Sequence, residues 1–371
     1  MSRSIWRYKK AHMIGVKGVG MTALAEILLK NGFVLTGSDV REEFMTDEVL
    51  HRLGISVADF DARNLSGKDA AIRSNAYTEE NAEVKAAVDL DLPLFSYPEV
   101  VAELFNAHRG IAIAGSHGKT TTTAMLSHIL KSAGMNVTAI VGSKVVNWKS
   151  GAIAGDLSDP TAPFVLEADE YKEAFLNYRP KGAIVTNIDW DHPDYFKTPK
   201  DYESAFAKFI ALLPKDGFLA FNGDDEALKR IASRAACEVL AVMKKDVRPF
   251  ALQLPGAHYL FDAHLAYQAA LKLGVDNAVA EKALADFQGT ARRMEFVGER
   301  NGAFVFDDYA HHPTEIRATL AALRQKYPKE KIIAIFQPHT FSRTKAFFGD
   351  FARAFSAADL AVLADVYPSA R

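Results

Sequence analysis

Short apolar runs alternate with amphipathic segments through the first third of the chain. The run "AHMIGV" has the length of a strand. The turn "KGVG" separates it from "MTALAEILLKNG", whose apolar residues recur at helical spacing up to a glycine stop. Further runs of strand length are "FVLTGSD", "DAAIRSNAY" and "LPLFS". Strands that alternate with helices are typical of a parallel sheet.

The same alternation starts again twice. A second series opens at "GIAIAGS" and continues through a helix and the strands "NVTAIVG", "FVLEADE" and "GAIVTNID", before two amphipathic helices at 257–287. A third series contains "AFVFDDYAHHP", the helix "TEIRATLAALRQKY" and the strands "KIIAIFQPH" and "LAVLADVY". We therefore predict an α/β chain of three domains, at 1–107, 108–296 and 297–371.

Composition narrows the class of protein without identifying it. The chain has 371 residues, which is too many for one core of ordinary size. Its net charge of −2 marks no general nucleic-acid or membrane surface, and the single cysteine, Cys237, rules out an intrachain disulfide. The N-terminus has no long apolar core, and no run reaches the length of a membrane span. We expect a soluble cytoplasmic protein with no nucleic-acid or membrane partner.

A first glycine-rich turn, "GVKGVG", lies between a predicted strand and a predicted helix. Glycines in this position let the backbone approach a phosphate at a helix N-terminus, which favours Gly18, Val19 and Gly20 as contacts. Asp39 follows the next strand, where an acidic residue often meets a ribose hydroxyl. The spacing G-x-x-G-x-G is not that of the dinucleotide fingerprint, so a plain tight turn remains the alternative.

A second turn, "AGSHGKTT", ends like a phosphate-binding loop but has Ile113 where that pattern has its first glycine. Gly118 would open a helix N-terminus toward a phosphate, and Lys119 would add a mobile charge for the outer phosphates. The hydroxyl of Thr120 can bind Mg²⁺. A lysine at an ordinary helix start is the alternative, but the order of strand, loop, Gly-Lys-Thr and helix argues against it.

Polar residues follow two later strands of the same series. One group is Glu167, Asp169 and Glu170, and the other is Asn187, Asp189, Asp191 and His192. Ligands gather at the carboxyl ends of strands in an open parallel sheet, and carboxylates near bound phosphates suit Mg²⁺. A helix cap for Glu167 and an ordinary loop position for His192 are the alternatives.

Five motifs in a fixed order carry a family resemblance. They are "AGSHGKTTTTAM", "EADE" followed by "FLNYRP", "IVTNIDWDH", "GTARRMEFVG" and "DDYAHHPTEI". Together they resemble the Mur ligase family of peptidoglycan synthesis, across nearly the whole chain. The opening "IGVKGVGMTALAEILLKNGFVLTGSD" and "DDYAHHPTEI" are most similar to the branch that adds the first amino acid.

The resemblance implies a fold and an activity. The fold would be a Rossmann-like UDP-binding domain, a P-loop-type ATP domain with a mostly parallel sheet, and an incomplete Rossmann-like C-terminal domain. The activity would join L-alanine to the carboxylate of UDP-N-acetylmuramate. ATP would first phosphorylate that carboxylate, and the amine would then displace phosphate from the acyl phosphate, because a carboxylate alone is a poor electrophile. The protein would be a monomer or a homodimer.

The resemblance also implies site residues. The catalytic set would be Lys119, Glu167, His192 and Arg293. Thr120 would hold one Mg²⁺, and Glu167 with His192 would hold a second. ATP would contact Gly115, Ser116, His117, Gly118, Lys119, Thr120, Thr121, His258, Asp262, Arg293 and Asp308. The UDP-sugar would contact Gly18, Val19, Gly20, Ser38, Asp39 and Ser74, with Asn75 nearby.

Three departures from the family pattern stand out. Tyr259 and Asp262 replace two asparagines that contact the adenine nucleotide in relatives; Tyr259 could stack on adenine, and Asp262 could accept a hydrogen bond. The segment before "LPGAH" is shorter than in this branch, which suggests a trimmed peripheral sheet. The chain stops at "ADVYPSAR", so we expect a third domain without its last strands and helices.

Other functions remain open at this point. A recycling ligase would join a ready-made tripeptide to the same sugar nucleotide. The segments "EADEYKEAF" and "DHPDYF" resemble that branch, whereas "VTNIDWDH" and "DDYAHHPTE" favour the branch that adds L-alanine. A non-catalytic relative would bind UDP-sugar or ATP without releasing phosphate. A plain P-loop kinase or NTPase would release phosphate without an amine, but it leaves "GVKGVG" and "DDYAHHP" unexplained.

Overall fold

Two open sheets and a smaller C-terminal unit follow one another along the chain, and a computed structural model describes them over residues 4–368. The α/β class predicted from the alternating pattern is confirmed. No helix within residues 4–368 combines the length and the apolar character needed to cross a bilayer.

The first unit is a five-stranded parallel sheet. Its strands are β1 (Lys10–Ile14), β2 (Val34–Ser38), β3 (Val57–Ala58), β4 (Ala70–Arg73) and β5 (Leu94–Ser96). Its helices are α1 (Val19–Lys30), α2 (Asp47–Arg52), α3 (Ala82–Asp89) and α4 (Tyr97–Asn106). The strand order β3-β2-β1-β4-β5 places the reversal of order at β1, where a doubly wound sheet binds its ligand. The glycine-rich turn predicted to bind UDP follows β1.

The second unit is a seven-stranded sheet. Its strands are β6 (Arg109–Ala114), β7 (Thr138–Val145), β8 (Ser150–Ile153), β9 (Pro163–Glu167), β10 (Gly182–Val185), β11 (Phe218–Asn222) and β12 (Glu238–Val242). The order is β12-β11-β10-β6-β9-β7-β8, parallel except for the β7–β8 pair. Its helices are α5 (Lys119–Ser132), α6 (Pro199–Ile210), α7 (Glu226–Ala232), α8 (Ala257–Lys272) and α9 (Asn277–Asp286). The sequence interpretation did not identify β8, β11 or β12.

The first two units share a continuous core. One buried cluster runs from Met13 and Leu24 in the first unit to Phe164 and Tyr202 in the second. Helix α1 lies against β7 and β8, and its Glu26 accepts a hydrogen bond from Ser150 at 2.5 Å. The first sheet is therefore fixed to the second by packing as well as by the chain.

The C-terminal unit is smaller, and its four strands form two separate pairs instead of one sheet. Its strands are β13 (Glu295–Arg300), β14 (Ala303–Asp307), β15 (Ile333–Phe336) and β16 (Leu360–Leu363), and its helices are α10 (Pro313–Lys326), α11 (Phe341–Ala346) and α12 (Phe348–Ala354). The strand "AFVFDD" exists as β14, but it forms an antiparallel hairpin with β13, while β15 and β16 form a separate parallel pair. A small cluster around Phe336 and Phe351 forms its core.

Candidate active site

A cavity of about 700 Å³ lies between the second unit and the C-terminal unit. Its walls come from the glycine loop after β6, the start of α8, the segment before β13 and the first turns of α10. The predicted ATP contacts that line it are His117, Gly118, Thr120, Thr121, His258, Asp262, Arg293 and Asp308. Residues far apart in the sequence therefore meet at one cavity.

The loop after β6 lacks the first glycine of the usual phosphate-binding pattern because that position still belongs to the strand. Ile113, at the place of the missing first glycine, is fully buried inside β6 and pairs with Glu167 and Ile184 on either side, so a glycine is not required there. The loop begins at Gly115, whose φ of +136° suits only glycine. Gly118 has a φ of +80° and leads directly into α5.

Lys119 is held inside the loop. Its ammonium donates to the carbonyl oxygens of Gly115 and Ser116 at 2.5 and 3.2 Å, and it lies 2.9 Å from the carboxylate of the buried Glu170. Burial lowers the pKa of Lys119, but the carboxylates of Glu170 and Asp169 outweigh it, and the net shift is upward. Lys119 is therefore a protonated cation next to the loop.

Ser116 connects the loop to that buried carboxylate. The hydroxyl of Ser116 lies 3.0 Å from the hydroxyl of Tyr202, which donates to Glu170 at 3.0 Å. The backbone N–H of Asp189 donates to Ser116 at 2.8 Å. These hydrogen bonds fix the loop against the strand end that carries Asp189.

Thr120, at the start of α5, lies against Glu167, the last residue of β9. The hydroxyl of Thr120 donates to Glu167 at 2.9 Å, and the second carboxylate oxygen accepts from the N–H of Gly142 at 2.6 Å. Both groups offer hard oxygen donors of the kind that Mg²⁺ prefers.

His192 lies beside a different pair of carboxylates. Its Nε2 is 3.8 Å from Glu170, and ligand atoms of Asp169, Glu170 and His192 all lie within 4.8 Å of one another. The sequence interpretation paired His192 with Glu167, whereas the structure groups His192 with Asp169 and Glu170 and groups Glu167 with Thr120. His192 also has a φ of +55°, an uncommon conformation for a residue with a side chain.

His117 joins the glycine loop to the C-terminal unit. Its Nε2 lies 3.1 Å from Asp189, and its Nδ1 lies 3.3 Å from Glu315 of α10. Burial lowers the pKa of His117, but hydrogen bonds to Asp189 and Glu315 outweigh it and raise the pKa to about 9. His117 is therefore an imidazolium at neutral pH.

A buried ion pair joins the same two units a short distance away. Arg343 of α11 donates to both carboxylate oxygens of Asp191, at 2.7 and 2.9 Å. Burial raises the pKa of Asp191, but the Arg343 guanidinium outweighs it and holds that pKa well below its usual range. Thr314 adds a hydrogen bond to Asp189 at 2.6 Å.

Arg293 and Asp308 lie where the chain crosses to the C-terminal unit. Arg293 is 3.8 Å from Glu315. The carboxylate of Asp308 accepts from the N–H groups of Met294 and Ala310, both at 2.8 Å. Arg292 and Met294 on either side of Arg293 have φ angles of +57° and +47°, which is unusual for residues with side chains.

The structure shows where Tyr259 and Asp262, the two residues that depart from the family pattern, lie. Tyr259 is buried and packs against Met294 and Ala322, so its ring contributes to the junction between the units. Asp262 is 6% exposed and lies against Gly118, where an added Cβ would be 2.6 Å from its Oδ1. Burial raises the pKa of Asp262 well above its usual value and lowers the pKa of His258 to about 4.

The predicted UDP contacts differ in how accessible they are to a ligand. Gly18 is exposed at the start of α1, and Val19 and Gly20 are half-buried. Asp39 accepts from the N–H of Lys17 at 2.7 Å and from the hydroxyl of Tyr77 at 2.9 Å. Ser38 is fully buried and donates to Glu83, so its side chain supports the sheet beneath the turn. Ser74 accepts from the N–H of Ala76 at 3.3 Å.

Three residues that contact the predicted site were missed from the sequence. Glu315 lines the cavity, Arg343 holds Asp191, and Tyr202 joins Ser116 to Glu170. Arg343 follows the strand "KIIAIFQPH", so the rule that ligands gather at strand ends offered a signal. Nothing in the sequence pattern distinguished Tyr202 from the core aromatics around it.

Comparisons with known proteins agree along the chain. Residues 10–109 match the Mur ligase family, catalytic domain; residues 113–259 match the Mur ligase middle domain; and residues 292–371 match the Mur ligase, glutamate ligase domain. The three matches occur in the order of the three structural units.

Named relatives extend the agreement. The chain is 38% identical to the UDP-N-acetylmuramate–L-alanine ligase of Desulfitobacterium hafniense, over 97% of this chain and 85% of that protein. A crystal structure of the UDP-N-acetylmuramate-alanine ligase of Thermotoga maritima is 28% identical with a TM-score of 0.78, and the alignment covers 96% of this chain and 85% of that one. The UDP-N-acetylmuramate:L-alanyl-gamma-D-glutamyl-meso-diaminopimelate ligase from Neisseria meningitidis is 27% identical with a TM-score of 0.67, covering 77% of this chain and all of that one.

Proposed function

The chain belongs to the Mur ligase family, and on that premise we propose that it is an ATP-dependent ligase that joins L-alanine to UDP-N-acetylmuramate. The observation that carries this proposal is the 38% identity, over 97% of the chain, to a relative with that named activity. The cavity supports it, because the imidazolium of His117 and Arg293 line it and the cation Lys119 lies in the adjoining loop, so positive charge is available to neutralise a triphosphate.

The loop would bind ATP by its backbone and its lysine. Gly118, Thr120 and Thr121 at the start of α5 line the cavity, and the free N–H groups and the dipole of a helix N-terminus favour an anion there. Lys119 would exchange its carbonyl partners in the loop for the outer phosphates. The γ-phosphoryl group would pass to the carboxylate of the sugar nucleotide, ADP would leave, and the amine of L-alanine would replace phosphate to form the amide.

Mg²⁺ fits the donors that the chain offers. We assign Thr120 and Glu167 to one ion and His192, with Asp169 and Glu170, to a second. The ions would neutralise the oxygens of the transferring phosphoryl group when bound. Glu167 is already oriented by the N–H of Gly142, so its carboxylate needs no large movement to serve as a ligand.

The first unit would bind the uridine diphosphate part of the substrate at the turn after β1. Gly18, Val19 and Gly20 are accessible there, with Asp39 and Ser74 at neighbouring strand ends. We also propose domain limits at 1–107, 108–296 and 297–371, and a monomer or homodimer.

A phosphate-release assay tests the activity. We expect release from ATP and Mg²⁺ only when UDP-N-acetylmuramate and L-alanine are both present, and loss of release in Lys119→Ala. Lys131→Ala is the matched control, because this exposed lysine lies near the other end of the same helix, with its ammonium over the ring of Trp148. Release without any amine would contradict the ligase and favour an NTPase.

A panel of acceptors tests the second candidate. The 27% identity to the Neisseria meningitidis ligase favours including the tripeptide L-alanyl-γ-D-glutamyl-meso-diaminopimelate beside L-alanine, glycine and L-serine. Turnover with the tripeptide and not with L-alanine would make the chain a recycling ligase. Binding of nucleotides with no turnover for any acceptor would indicate a non-catalytic relative.

A further inference from the structure

A carboxylate from the C-terminal unit lies beside two cationic side chains of the cavity, His117 and Arg293. Glu315 lies in the first turn of α10 with its side chain 10% exposed. Its Oε1 is 3.3 Å from Nδ1 of His117 and 3.8 Å from Nη1 of Arg293. Its Oε2 accepts from the N–H groups of His311 and His312, at 3.0 and 3.2 Å.

The partners of Glu315 come from three separate parts of the chain. His117 belongs to the glycine loop, Arg293 to the segment between the two units, and the N–H groups to the N-terminus of α10 itself. Burial raises the pKa of Glu315, but His311, His117 and Arg293 outweigh it and hold the pKa well below its usual value. Glu315 is therefore an anion at neutral pH.

The same groups line the cavity that would receive a triphosphate. His117 and Arg293 are two of its cationic side chains, and Glu315 lies beside them in the same wall. A phosphate and a carboxylate cannot both be neutralised by the same imidazolium and guanidinium without mutual repulsion. Arrival of a nucleotide must therefore weaken the hold of Glu315 on these two groups.

We infer that Glu315 is an internal counter-anion that neutralises His117 and Arg293 in the nucleotide-free chain and competes with the phosphates of an incoming nucleotide. The inference deepens the proposed function, since it takes ATP as the ligand of this cavity. Its consequence is that Glu315 lowers affinity for the phosphates and not for the nucleoside. Nucleotide binding is thereby coupled to the contact that holds α10 on the glycine loop.

Calorimetric titration of wild type and Glu315→Gln with ATP and with adenosine tests the inference. Glutamine keeps the size of the side chain and an oxygen that can still cap α10, but it removes the charge. We expect Glu315→Gln to bind ATP roughly tenfold more tightly and adenosine with unchanged affinity. Unchanged or weaker ATP binding, or equal tightening for adenosine, would overturn the inference.

Two further variants distinguish the effect of the Glu315 charge from the effects of a lost contact and of misfolding. Thr314→Val removes the neighbouring hydrogen bond to Asp189 without changing charge, so it should not tighten ATP binding. Glu315→Ala should tighten it as Glu315→Gln does, and thermal denaturation checks that both variants fold. If tightening follows loss of the Thr314 contact equally well, looser docking of α10 is the cause and the counter-anion is refuted.

Failure of the proposed function is distinguishable from failure of this inference. If wild type binds no ATP, the proposed function is wrong, and pyrophosphate becomes the probe of the same cations. Glu315→Gln should then still bind pyrophosphate more tightly than wild type does. Equal pyrophosphate binding by the two proteins, or none by either, would remove the inference as well.

Discussion

Buried titratable side chains set the pH behaviour of the cavity. His117 lies between Asp189 and Glu315, and its pKa is about 9 in the folded chain. An exposed histidine has a pKa near 6.5. The folded state therefore holds this proton more tightly than the unfolded state, and the resulting stability is complete below about pH 6.5 and lost as the pH rises through about 9.

This direction of the pH dependence of stability gives a first prediction, for His117→Gln. The stabilisation that wild type has over the variant should be greatest near pH 6 and smaller by up to about 3 kcal/mol near pH 9.5, since each pKa unit is worth about 1.4 kcal/mol. Melting temperatures of both proteins across that range measure it. A difference that stays constant with pH would mean that His117 is not the group that titrates.

Replacing Asp262 should stabilise the folded chain, whereas replacing His117 should destabilise it. Burial raises its pKa well above the usual value, so the folded state binds a proton that the unfolded state has already lost. Stability then falls as the pH rises from about 4, the pKa of an exposed aspartate. Asp262→Asn removes this penalty.

We expect Asp262→Asn to melt at a higher temperature than wild type at pH 8 and to gain much less at pH 5. Asp276→Asn is a suitable control, because Asp276 caps α9 at the surface and leaves the buried charge in place. Equal gains at both pH values would show that the folded chain binds no extra proton at Asp262 between pH 5 and pH 8, and that its pKa is not raised.

At the scale of elements, the glycine loop depends on the backbone conformation of Gly115, and Gly134 after α5 offers a comparison. An added Cβ at Gly115 would lie 2.0 Å from the hydroxyl of Thr186, at a φ of +136°. At Gly134, after α5, the φ is +74° and no heavy atom lies within 4 Å of an added Cβ. The two positions share an unfavourable backbone for alanine, and only the first adds a collision.

We therefore predict that Gly115→Ala destabilises the chain by at least about 3 kcal/mol and abolishes ATP binding, because overpacking adds to the backbone penalty. Gly134→Ala should cost about 1–2 kcal/mol and leave ATP binding intact. Denaturation and calorimetric titration of the two variants measure both effects. Retained ATP binding by Gly115→Ala would contradict the role of this loop.

The sequence predicted those elements whose signal is local. Apolar runs and glycine stops marked β1, β6 and α1, and Gly-Lys-Thr after a strand located the loop. The short loop was harder to interpret: "GIAIAGS" predicts a strand that includes Ile113, but only the structure shows its pairing with Glu167. Strand β11 was missed although "GDD" follows it in the sequence, and β12 is an edge strand with mostly exposed residues, so it offers no buried apolar run.

Contacts between distant residues could not be read from the sequence. Arg343 and Asp191 are 152 positions apart, and Glu315 and His117 belong to different units. Such pairs form only when the C-terminal unit docks on the second sheet, and no periodicity encodes that docking. The sequence placed Glu167 and His192 on one ion, whereas the two-ion proposal follows the structure, which groups Glu167 with Thr120 and His192 with Asp169 and Glu170.

At the scale of the whole molecule, buried charge pairs hold the C-terminal unit in place. Arg343 is 4% exposed and Asp191 is 5% exposed, so removing one partner leaves a buried charge without compensation. Arg292 and Met294, with left-handed backbones, mark the segment about which this unit could turn.

We predict that Arg343→Gln destabilises the docked arrangement by about 3–5 kcal/mol and increases the radius of gyration. Small-angle scattering and thermal denaturation measure these effects, and Arg353→Gln, in an exposed pair on α12, is the control. Identical scattering from both variants and wild type would show that other contacts hold the unit. Adding nucleotide to wild type in the same experiment tests the hinge expected near 293–302.

The open parallel pair of the C-terminal unit has a practical consequence. Within residues 4–368, β15 and β16 hydrogen-bond only to each other as strands, and Ile335 and Leu363 are 79% and 64% exposed. Exposed apolar strands with free edges are templates for association between chains. Handling of the protein in concentrated solution will therefore be limited by this sheet, and a charged side chain at Ile335 should extend its shelf life without touching the cavity.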